Sequence, residues 1–417
     1  MLKRIKMMIR RLVGDKGVVL IYRCISFLKE PSYILSFKKI NVFGNYDVIK
    51  IGKENSHIYC GYYDRDPIKD DNILLYEVDM GADPSNLTAI KIGLYNIKNK
   101  SFLDVARVKA WCWQQGSRAH WYGENIIVNN IENGSFVSEI YNKSGDLLSS
   151  IPHPIYDTFF NKNIALSCDF ERLQILRPGY GYYLNQSSKK KRIKKTPDDT
   201  GLSIIDMISG KSHLLLSLLD LSSFQPKSTM IDSYHYINHI SFSPNGEFCI
   251  FYHLWVDENG VQYSRALSYD INNSILSCIN SEYVSHFAWL NSTSIMIFSQ
   301  ENGIRGYHLY QMNHHNEWFY EKTFNRELLK EDGHPTFCNE LQFISDTYPD
   351  RFGYQHLFSY DINTNVLKKI ASLYSPYKYE FEERCDLHPR VHGEAIVIDS
   401  TCDGKRAVYI IKPGEAK

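Results

Sequence analysis

The sequence predicts an all-β fold, a seven-bladed β-propeller with a short N-terminal helical extension. A degenerate strand–turn–strand unit recurs seven times, mostly about 36 to 56 residues apart. Repeats of this length and type are typical of propeller blades. Tyrosine and phenylalanine, which favour strands, occur 30 and 21 times. After the N-terminus, no long stretch shows the periodicity of a helix.

A histidine marks the repeat in five of its seven copies. A turn-rich stretch and then a run of apolar and β-branched residues follow each one, and the five are His120, His239, His286, His334 and His388. Asp64 and the region near Tyr156 take that position in the other two copies. Equivalent positions of successive blades converge on one axis, so we expect the imidazoles to form a ring of neighbours. Alternatively, each histidine is a structural latch that hydrogen-bonds the backbone of the next blade.

We divide the chain into an extension, residues 1–40, and the propeller, residues 41–417. In residues 1–28, basic and apolar side chains alternate, and Arg23 interrupts the one apolar run, which is too short to span a bilayer. This segment is a helix packed on the propeller, a basic amphipathic segment that contacts the inner membrane face, or a poor secretion signal. Nine scattered cysteines without a CxxC pair indicate a reducing compartment, so we expect a cytoplasmic protein, peripheral at the inner membrane face in the second case.

Two segments depart from the regular repeat. The strand at residues 45–52 precedes the first full copy, and we expect it to complete the last blade and close the ring. The widest gap between copies contains an insertion, residues 169–201. Insertions on a repeat scaffold are usually functional or disordered loops. The basic run from Lys189 to Lys195 within it is a solvated loop or a lid that touches an acidic polymer.

The balance of charges argues against a nucleic-acid partner. Lysine plus arginine and aspartate plus glutamate both number 47. No global field therefore attracts a polyanion, and any selectivity for charge has to be local.

Histidines of consecutive blades predict a metal site. His286, His334 and His388 belong to three successive copies, and neutral imidazole is a common ligand of transition metals. We predict that they bind a divalent ion, zinc or manganese. Cys385, three residues before His388, is a fourth ligand or an inert buried thiol. Ion pairs between adjacent blades are another explanation of the charged residues around His388.

Two further clusters have the composition of a carbohydrate site. WCWQQGSRAHW, residues 111–121, contains Trp113 and Gln115, an aromatic face and an amide donor. ERLQILRPGYGYY, residues 171–183, combines Arg172 and Arg177 with three phenols, those of Tyr180, Tyr182 and Tyr183. Guanidinium groups bind carboxylates in bidentate fashion. The alternatives are aromatic packing between blades for the first cluster and a glycine-hinged surface loop for the second.

Several motifs together resemble a known family. They are GYYDRDP (61–67), WCWQQG (111–116), RPGYGY (177–182), NHISFSPNG (238–246), SHFAW (285–289), DGHP (332–335), DTYPDR (346–351) and RCDLHPR with DST (384–390, 399–401). They are similar to motifs of the seven-bladed propeller polysaccharide lyases, the ulvan lyase-like families, and more distantly the oligogalacturonate lyases. The resemblance runs from about residue 55 to 412.

The resemblance implies β-elimination on a uronate-containing glycan. Arg177 or Arg172, with the metal, neutralises the carboxylate, and His120 and Tyr182 or its neighbours serve as base and acid, in either order. Trp113, Gln115, Arg172, Tyr180 and His239 then bind the sugar. The implied partner is an acidic polysaccharide or oligosaccharide, in capsule or O-antigen metabolism.

Two other functions stay open for such a propeller. One is a non-catalytic glycan-binding or scaffolding propeller in a polysaccharide biosynthesis system. The other is a protein-interaction propeller of the WD type, although the sequence contains no WD dipeptide and its single GH dipeptide, residues 333–334, does not recur with the repeat.

Overall fold

The computed structural model describes residues 39–185 and 193–414. These residues form seven antiparallel sheets. The predicted all-β, seven-bladed propeller is therefore confirmed. The predicted helical extension lies outside the described residues as far as residue 38, and so do residues 186–192 of the insertion, which include most of the basic run.

The strands follow one another around the ring, and each blade takes consecutive strands, except that the first two strands of the chain join the last two blades. Two strands come before the first complete blade: β1 (Ile40–Val42) and β2 (Tyr46–Ile51). Blade 1 contains β3 (Ser56–Tyr59), β4 (Ile68–Lys69), β5 (Asn72–Asp79), β6 (Ile90–Asn96) and β7 (Ser101–Val108). Blade 2 contains β8 (His120–Tyr122), β9 (Asn125–Glu132), β10 (Ser135–Tyr141) and β11 (Leu147–Ile151).

The next three blades have four strands each. Blade 3 contains β12 (Asp157–Phe159), β13 (Ile164–Ser167), β14 (Gly201–Asp206) and β15 (Ser212–Ser217). Blade 4 contains β16 (Tyr234–Phe242), β17 (Phe248–Val256), β18 (Gln262–Asp270) and β19 (Ile275–Asn280). Blade 5 contains β20 (Val284–Asn291), β21 (Ser294–Glu301), β22 (Ile304–Met312) and β23 (Trp318–Thr323).

The last two blades are completed by the N-terminal strands. Blade 6 contains β24 (Thr336–Asn339), β25 (Gln342–Asp346), β26 (Tyr354–Asp361) and β27 (Val366–Tyr374), and blade 7 contains β28 (Arg390–His392), β29 (Ala395–Ser400) and β30 (Ala407–Pro413). Strand β2 pairs with β30 in blade 7, which confirms that residues 45–52 close the ring. Strand β1 adds a fifth strand to blade 6 beside β27, which we did not predict.

Helical structure is sparse in the described residues. The α-helices are α1 (Phe170–Leu176) and α2 (Leu218–Ser223). Single 3₁₀ turns cover Pro84–Asn86, Phe160–Lys162, Ser228–Met230 and Phe381–Glu383. Helix α1 begins the insertion between β13 and β14, and the Asp169 side chain caps it by accepting a hydrogen bond from the backbone N–H of Arg172.

Local sequence explains why the strands turn where they do. β9 and β10 are joined by Asn133 and Gly134, whose φ angles are 49° and 76°. A two-residue hairpin of this kind needs positive φ at both positions, and asparagine followed by glycine adopts it at low cost. The apolar side chains then pack between neighbouring blades; for example, Ile58 of blade 1 and Val397 of blade 7 share one buried cluster.

The antiparallel order decides which loops share a face of the ring. In blade 4, Tyr234 at the start of the innermost strand pairs with Val256 at the end of the second, and Val256 pairs with Gln262 at the start of the third. The start of every innermost strand therefore lies on the same face as the connection between the second and third strands. The insertion of blade 3 is such a connection, so it emerges on the face where the repeat histidines lie.

Candidate metal centre

Four of the five repeat histidines meet on the propeller axis. Their ring centroids are 5.9 Å apart between His239 and His286, 4.1 Å between His286 and His334, and 4.3 Å between His334 and His388. All four side chains are buried. They come from blades 4, 5, 6 and 7, so the predicted ring is present on this side of the axis.

His120 does not join them. Its Nδ1 lies 2.7 Å from the carbonyl oxygen of Arg118, and its Nε2 lies 2.8 Å from Oγ1 of Thr158 in the next blade. Both ring nitrogens are thus engaged: Nδ1 within the segment that leads into blade 2, and Nε2 across the boundary with blade 3. Burial, with a contribution from Arg65, holds the pKa of His120 well below its usual range, so the ring is neutral. The bond to Thr158 joins two blades as the alternative latch would, but its partner is a side-chain hydroxyl and not the backbone of the next blade.

Two of the axial histidines have an unusual backbone. His239 and His388 have φ angles of 54° and 47°, in the left-handed region that few side chains adopt. The pairing of β16 with β17 shifts register just there, between Asn238 and Ser241. The resulting bulge is local strain of the kind that clusters at functional sites.

His334 and His388 each present one ring nitrogen without a partner. Nδ1 of His334 donates to the carboxylate of Asp346, at 2.9 Å from Oδ1, and Nδ1 of His388 donates to the carbonyl oxygen of Gly61 at 3.0 Å. The Nε2 atoms of both rings are buried and have no hydrogen-bond partner. Because Nδ1 carries the proton in a neutral ring, each Nε2 offers a lone pair. A metal-binding histidine has this arrangement, with its outer N–H held by a carboxylate or carbonyl.

A carboxylate completes the group. Ligand atoms of His334, Asp386 and His388 all lie within 4.8 Å of one another. Oδ2 of Asp386 accepts hydrogen bonds from Arg384, at 2.8 Å from Nε, and Oδ1 lies 3.4 Å from Nε2 of Gln355. We did not predict Asp386 as a ligand. The signal was its place two residues before His388, close enough in the chain for both side chains to reach one ion.

The other two predicted ligands lie outside this group. His286 is adjacent to His334, but its Nδ1 is 2.9 Å from Oδ1 of Asp332. The Sγ atom of Cys385 lies against the carbonyl oxygen of Asp386 at 3.8 Å. Burial raises the pKa of this thiol to about 12, so it is not a thiolate at neutral pH.

The pKa values of the histidines are set by burial and by the carboxylates. Burial lowers the pKa of His388 well below its usual range, and the nearby His334 and Arg390 add to this effect. At His334 burial acts in the same direction, but the charge and hydrogen bond of Asp346 outweigh it and raise the pKa above its usual value. The site therefore pairs a neutral His388 with His334, which is hydrogen-bonded to the fully buried carboxylate of Asp346.

Tyrosine–arginine pairs lie beside the axial histidines. Tyr180, from the insertion, has its ring centroid 6.1 Å from that of His239, and Tyr348 lies 5.9 Å from His334. The guanidinium of Arg177 lies over Tyr180 at 4.8 Å, and that of Arg384 lies over Tyr348 at 4.9 Å. The insertion thus reaches the axial histidines.

Tyr182, the phenol of the insertion that we placed in catalysis, does not lie beside His120. Tyr182 is fully buried, stacks on Phe170 with centroids 4.6 Å apart, and accepts a hydrogen bond from Nδ2 of Asn129. Its contacts belong to the packing of blades 2 and 3 and do not include His120. Tyr180, which we predicted to bind sugar, is the tyrosine of this loop that lies beside a histidine, His239.

The predicted sugar-binding residues are engaged in the fold. Trp113 packs against Trp111 at 5.1 Å and lies under Arg406 at 4.9 Å. Nε2 of Gln115 donates to the phenol oxygen of Tyr156 at 2.8 Å. These contacts match the aromatic packing that we gave as the alternative for this cluster.

The two arginines of the insertion have different partners. Nε of Arg172 donates to the carbonyl oxygen of His235 at 2.5 Å, and NH2 donates to that of Lys195 at 2.9 Å. Arg172 therefore ties the insertion to blade 4. Arg177 donates from NH1 to Oε1 of Gln262 at 2.9 Å, and its buried Nε has no partner.

Comparisons with known proteins identify no relative by sequence. No family model matches the chain, and no curated protein matches it. Solved structures match at low identity. The tricorn protease matches with a TM-score of 0.46 and 10% identity over 89% of this chain, which spans 34% of that protein. The β-propeller domain of the Trilobed protease from Pyrococcus furiosus matches with a TM-score of 0.46 and 11% identity, covering 87% of this chain and 95% of that one. TolB from Acinetobacter baumannii matches with a TM-score of 0.37 and 11% identity, covering 78% of this chain and 77% of that one.

These comparisons correct the predicted activity. The structures named above belong to peptidases and a TolB protein and not to polysaccharide lyases, and the prediction of β-elimination on a uronate glycan is wrong. The separate surroundings of His120 and Tyr182 give the physical reason, because the base and the acid of that reaction have to meet at one sugar. At such low identity the peptidase structures share only a fold with this chain.

The predictions about membrane contact, partners and location are not tested by the fold. No helix in the described ranges is long and apolar enough to cross a membrane. The contact of residues 1–28 with the inner membrane face lies outside the described residues. The acidic glycan partner, the expected lack of a nucleic-acid partner and the cytoplasmic location stay predictions.

Proposed function

We propose that this protein binds one divalent transition-metal ion on the propeller axis, through Nε2 of His334, Nε2 of His388 and the carboxylate of Asp386. The observation that carries the proposal is the pair of buried Nε2 atoms without a partner, in a group that also contains a carboxylate. Burying a polar atom without a hydrogen bond costs about 1–3 kcal/mol. A shared ion offsets that cost at both rings.

The surrounding hydrogen bonds support a ligand role. Asp346 holds His334, the carbonyl of Gly61 holds His388, and Arg384 holds Asp386 from the side of Oδ2. Each ligand thus has an outer partner that orients it. Ligand atoms at about 2.1 Å from one ion are at most about 4.2 Å apart. The three side chains already lie close to this arrangement, because their ligand atoms are all within 4.8 Å of one another.

The ligand set restricts the choice of ion. Two imidazoles and one carboxylate suit zinc, manganese or ferrous iron better than calcium or magnesium, which prefer oxygen ligands. His286 lies next to His334 and is the nearest additional imidazole. Three protein ligands leave coordination positions for water or another small ligand.

Metal analysis tests the proposal directly. We expect protein purified without chelator, or reloaded after chelation, to hold about one equivalent of zinc, manganese or iron per chain by elemental analysis. His334→Ala and His388→Ala should each remove most of it. His120→Gln is the matched control, because it removes a buried repeat histidine that lies outside the group. Metal-free protein that takes up none of these ions, or equal uptake by all variants, would overturn the proposal.

A further inference from the structure

A short segment of blade 1 fills the axis of the propeller. Residues 61–66, between β3 and β4, leave the sheet and contact other blades in turn. We term this segment the axial plug. The residues that its members contact are Arg390, His388 and His392 of blade 7, His239 of blade 4, Phe287 of blade 5, His334 of blade 6, Arg118 beside blade 2 and Asp157 of blade 3. One six-residue segment thus joins all the blades of the ring.

The first end of the plug lies against the candidate metal group. The carbonyl oxygen of Gly61 accepts the Nδ1 hydrogen bond of His388 and a further one from Arg390. Gly61 has a φ of 94°, and a Cβ there would lie 3.0 Å from the ring of Tyr76, so the close approach requires glycine. The ring of Tyr62 lies 4.8 Å from that of His388, and the ring of Tyr63 lies 5.2 Å from that of His334.

The middle of the plug is held by two phenols. The hydroxyl of Tyr63 donates to the carbonyl oxygen of Phe287 at 2.9 Å and accepts from its N–H at 3.0 Å. Phe287 lies on the innermost strand of blade 5, whose inner edge has no neighbouring strand. The phenol satisfies backbone groups that would otherwise be unpaired. Tyr62 similarly bonds Nε2 of His239 at 2.7 Å.

The second end of the plug is held by charges. Arg118 donates to both carboxylate oxygens of Asp64, at 3.1 and 2.9 Å, and Arg65 pairs with Asp157. Asp66 lies 2.7 Å from Nδ1 of His392. His388 and His392 lie just before and at the end of β28, so the plug runs along the whole innermost strand of blade 7.

We propose that the axial plug positions the metal ligands, so that metal occupancy and the packing of residues 61–66 stabilise each other. The inference rests on the metal site proposed above. The reason is that the Gly61 carbonyl decides which nitrogen of His388 faces the ion. Tyr63 and Asp64 fix the segment that carries this carbonyl, through their bonds to Phe287 and Arg118. Outer partners of metal ligands typically contribute 10- to 100-fold in affinity. Linkage requires the effect to be mutual.

Cobalt titration of a plug variant tests the first half. Co²⁺ is the probe, because its visible absorption reports the coordination geometry as well as the affinity. Tyr63→Phe removes both bonds to Phe287 while keeping the ring, and we expect it to weaken Co²⁺ binding by about 10-fold or more and to change the spectrum. Tyr310→Phe is the matched control, because it removes a buried tyrosine hydroxyl of the same blade that bonds Ser299 and Asn280, away from the axis. It should leave the Co²⁺ affinity and the spectrum unchanged.

Hydrogen exchange in the unmodified protein tests the second half. Adding Zn²⁺ to metal-free protein should slow exchange of the amides of residues 61–66 and of Phe287 more than of the β22–β23 hairpin. Wild-type affinity and spectrum in Tyr63→Phe, or equal exchange with and without Zn²⁺, would overturn the role of the plug and leave the metal site standing. Absence of any Co²⁺ or Zn²⁺ binding by the wild type would instead overturn the metal site, and this inference with it.

Discussion

At the scale of the residue, histidines that look alike in the sequence have two different roles. His120 uses both ring nitrogens in hydrogen bonds, one of them across a blade boundary, whereas His334 and His388 each use one and leave the other free of protein partners. The difference lies in the partner of Nε2, which is the Thr158 hydroxyl at His120 and is missing at His334 and His388. A repeat position therefore predicts where an imidazole lies but not what its nitrogens do.

This distinction predicts the effect of removing the latch. His120→Ala should lower the free energy of unfolding by about 1–3 kcal/mol, because it leaves the Thr158 hydroxyl and the Arg118 carbonyl without a partner. Metal content should not change. Urea unfolding and elemental analysis of the same preparation check both points. A His120→Ala protein of wild-type stability would contradict the latch.

A second pair of histidines predicts how stability depends on pH. Nε of Arg265 donates to Nδ1 of His253, so Nε2 of His253 carries the proton and donates to Nδ1 of His235 at 2.8 Å. Burial, with the charges of Arg172 and Arg265, lowers the pKa of His235 to about 4 despite its bond to the Met230 carbonyl. An unfolded histidine titrates near 6.5, so below that pH the unfolded chain binds a proton that the folded chain does not. The contribution of His235 to the free energy of unfolding is therefore fully present above pH 6.5. It falls by up to about 3 kcal/mol as the pH falls to about 4.

The test compares slopes rather than absolute stabilities. His235→Gln should be less stable than the wild type at pH 7 but should lose less free energy of unfolding between pH 7 and pH 5, measured by urea unfolding. Other buried histidines, such as His57, contribute to the slope in both proteins and cancel in the difference. Equal losses in both proteins would show that His235 does not titrate as described.

At the scale of the element, the two N-terminal strands have different roles, because β2 completes blade 7 whereas β1 only extends blade 6. β2 pairs with β30 along its whole length and supplies the outer strand of blade 7, whereas β1 adds a three-residue fifth strand to blade 6. Without β2, blade 7 would keep three strands and expose the edge of β30. Blade 6 without β1 would still have four.

Two truncations test this difference. Removing residues 1–43 deletes β1 and should lower the melting temperature slightly, while removing residues 1–52 also deletes β2 and should lower it by roughly 5 °C or more beyond that. The longer truncation should also aggregate more readily, because it exposes an unpaired strand edge. Melting temperatures that are equal for the two truncations would show that β2 does not carry the closure.

At the scale of the whole molecule, the plug changes how the propeller is understood. A ring of blades has an axial channel, and here residues 61–66 fill it with contacts to the surrounding blades. The motif GYYDRDP was visible in the sequence, and its Asp64 was assigned to the same repeat position as the histidines. In the structure Asp64 pairs with Arg118 as part of the plug, because this copy of the repeat carries extra residues between its first two main strands.

The fold was largely predictable, and the candidate site was predictable only in part. The repeat placed His286, His334 and His388 on neighbouring blades because blade order follows chain order. It did not separate Tyr182 from Tyr180 within a loop, since the choice depends on Phe170 packing against one and His239 lying beside the other. Asp386 was missed because an aspartate between two arginines is more often an ion pair, and here Arg384 pairs with it as well.

The sequence by itself determined the all-β architecture, the number of blades and the strand that closes the ring. These follow from a short-range alternation repeated seven times, which each blade satisfies with its own residues. Only the tertiary structure decided which polar atoms meet on the axis. The Gly61 carbonyl that holds His388 is 327 positions away in the chain, and the Tyr62 phenol that holds His239 is 177 positions away. Such partners leave no local pattern, because closing the ring is what brings them together.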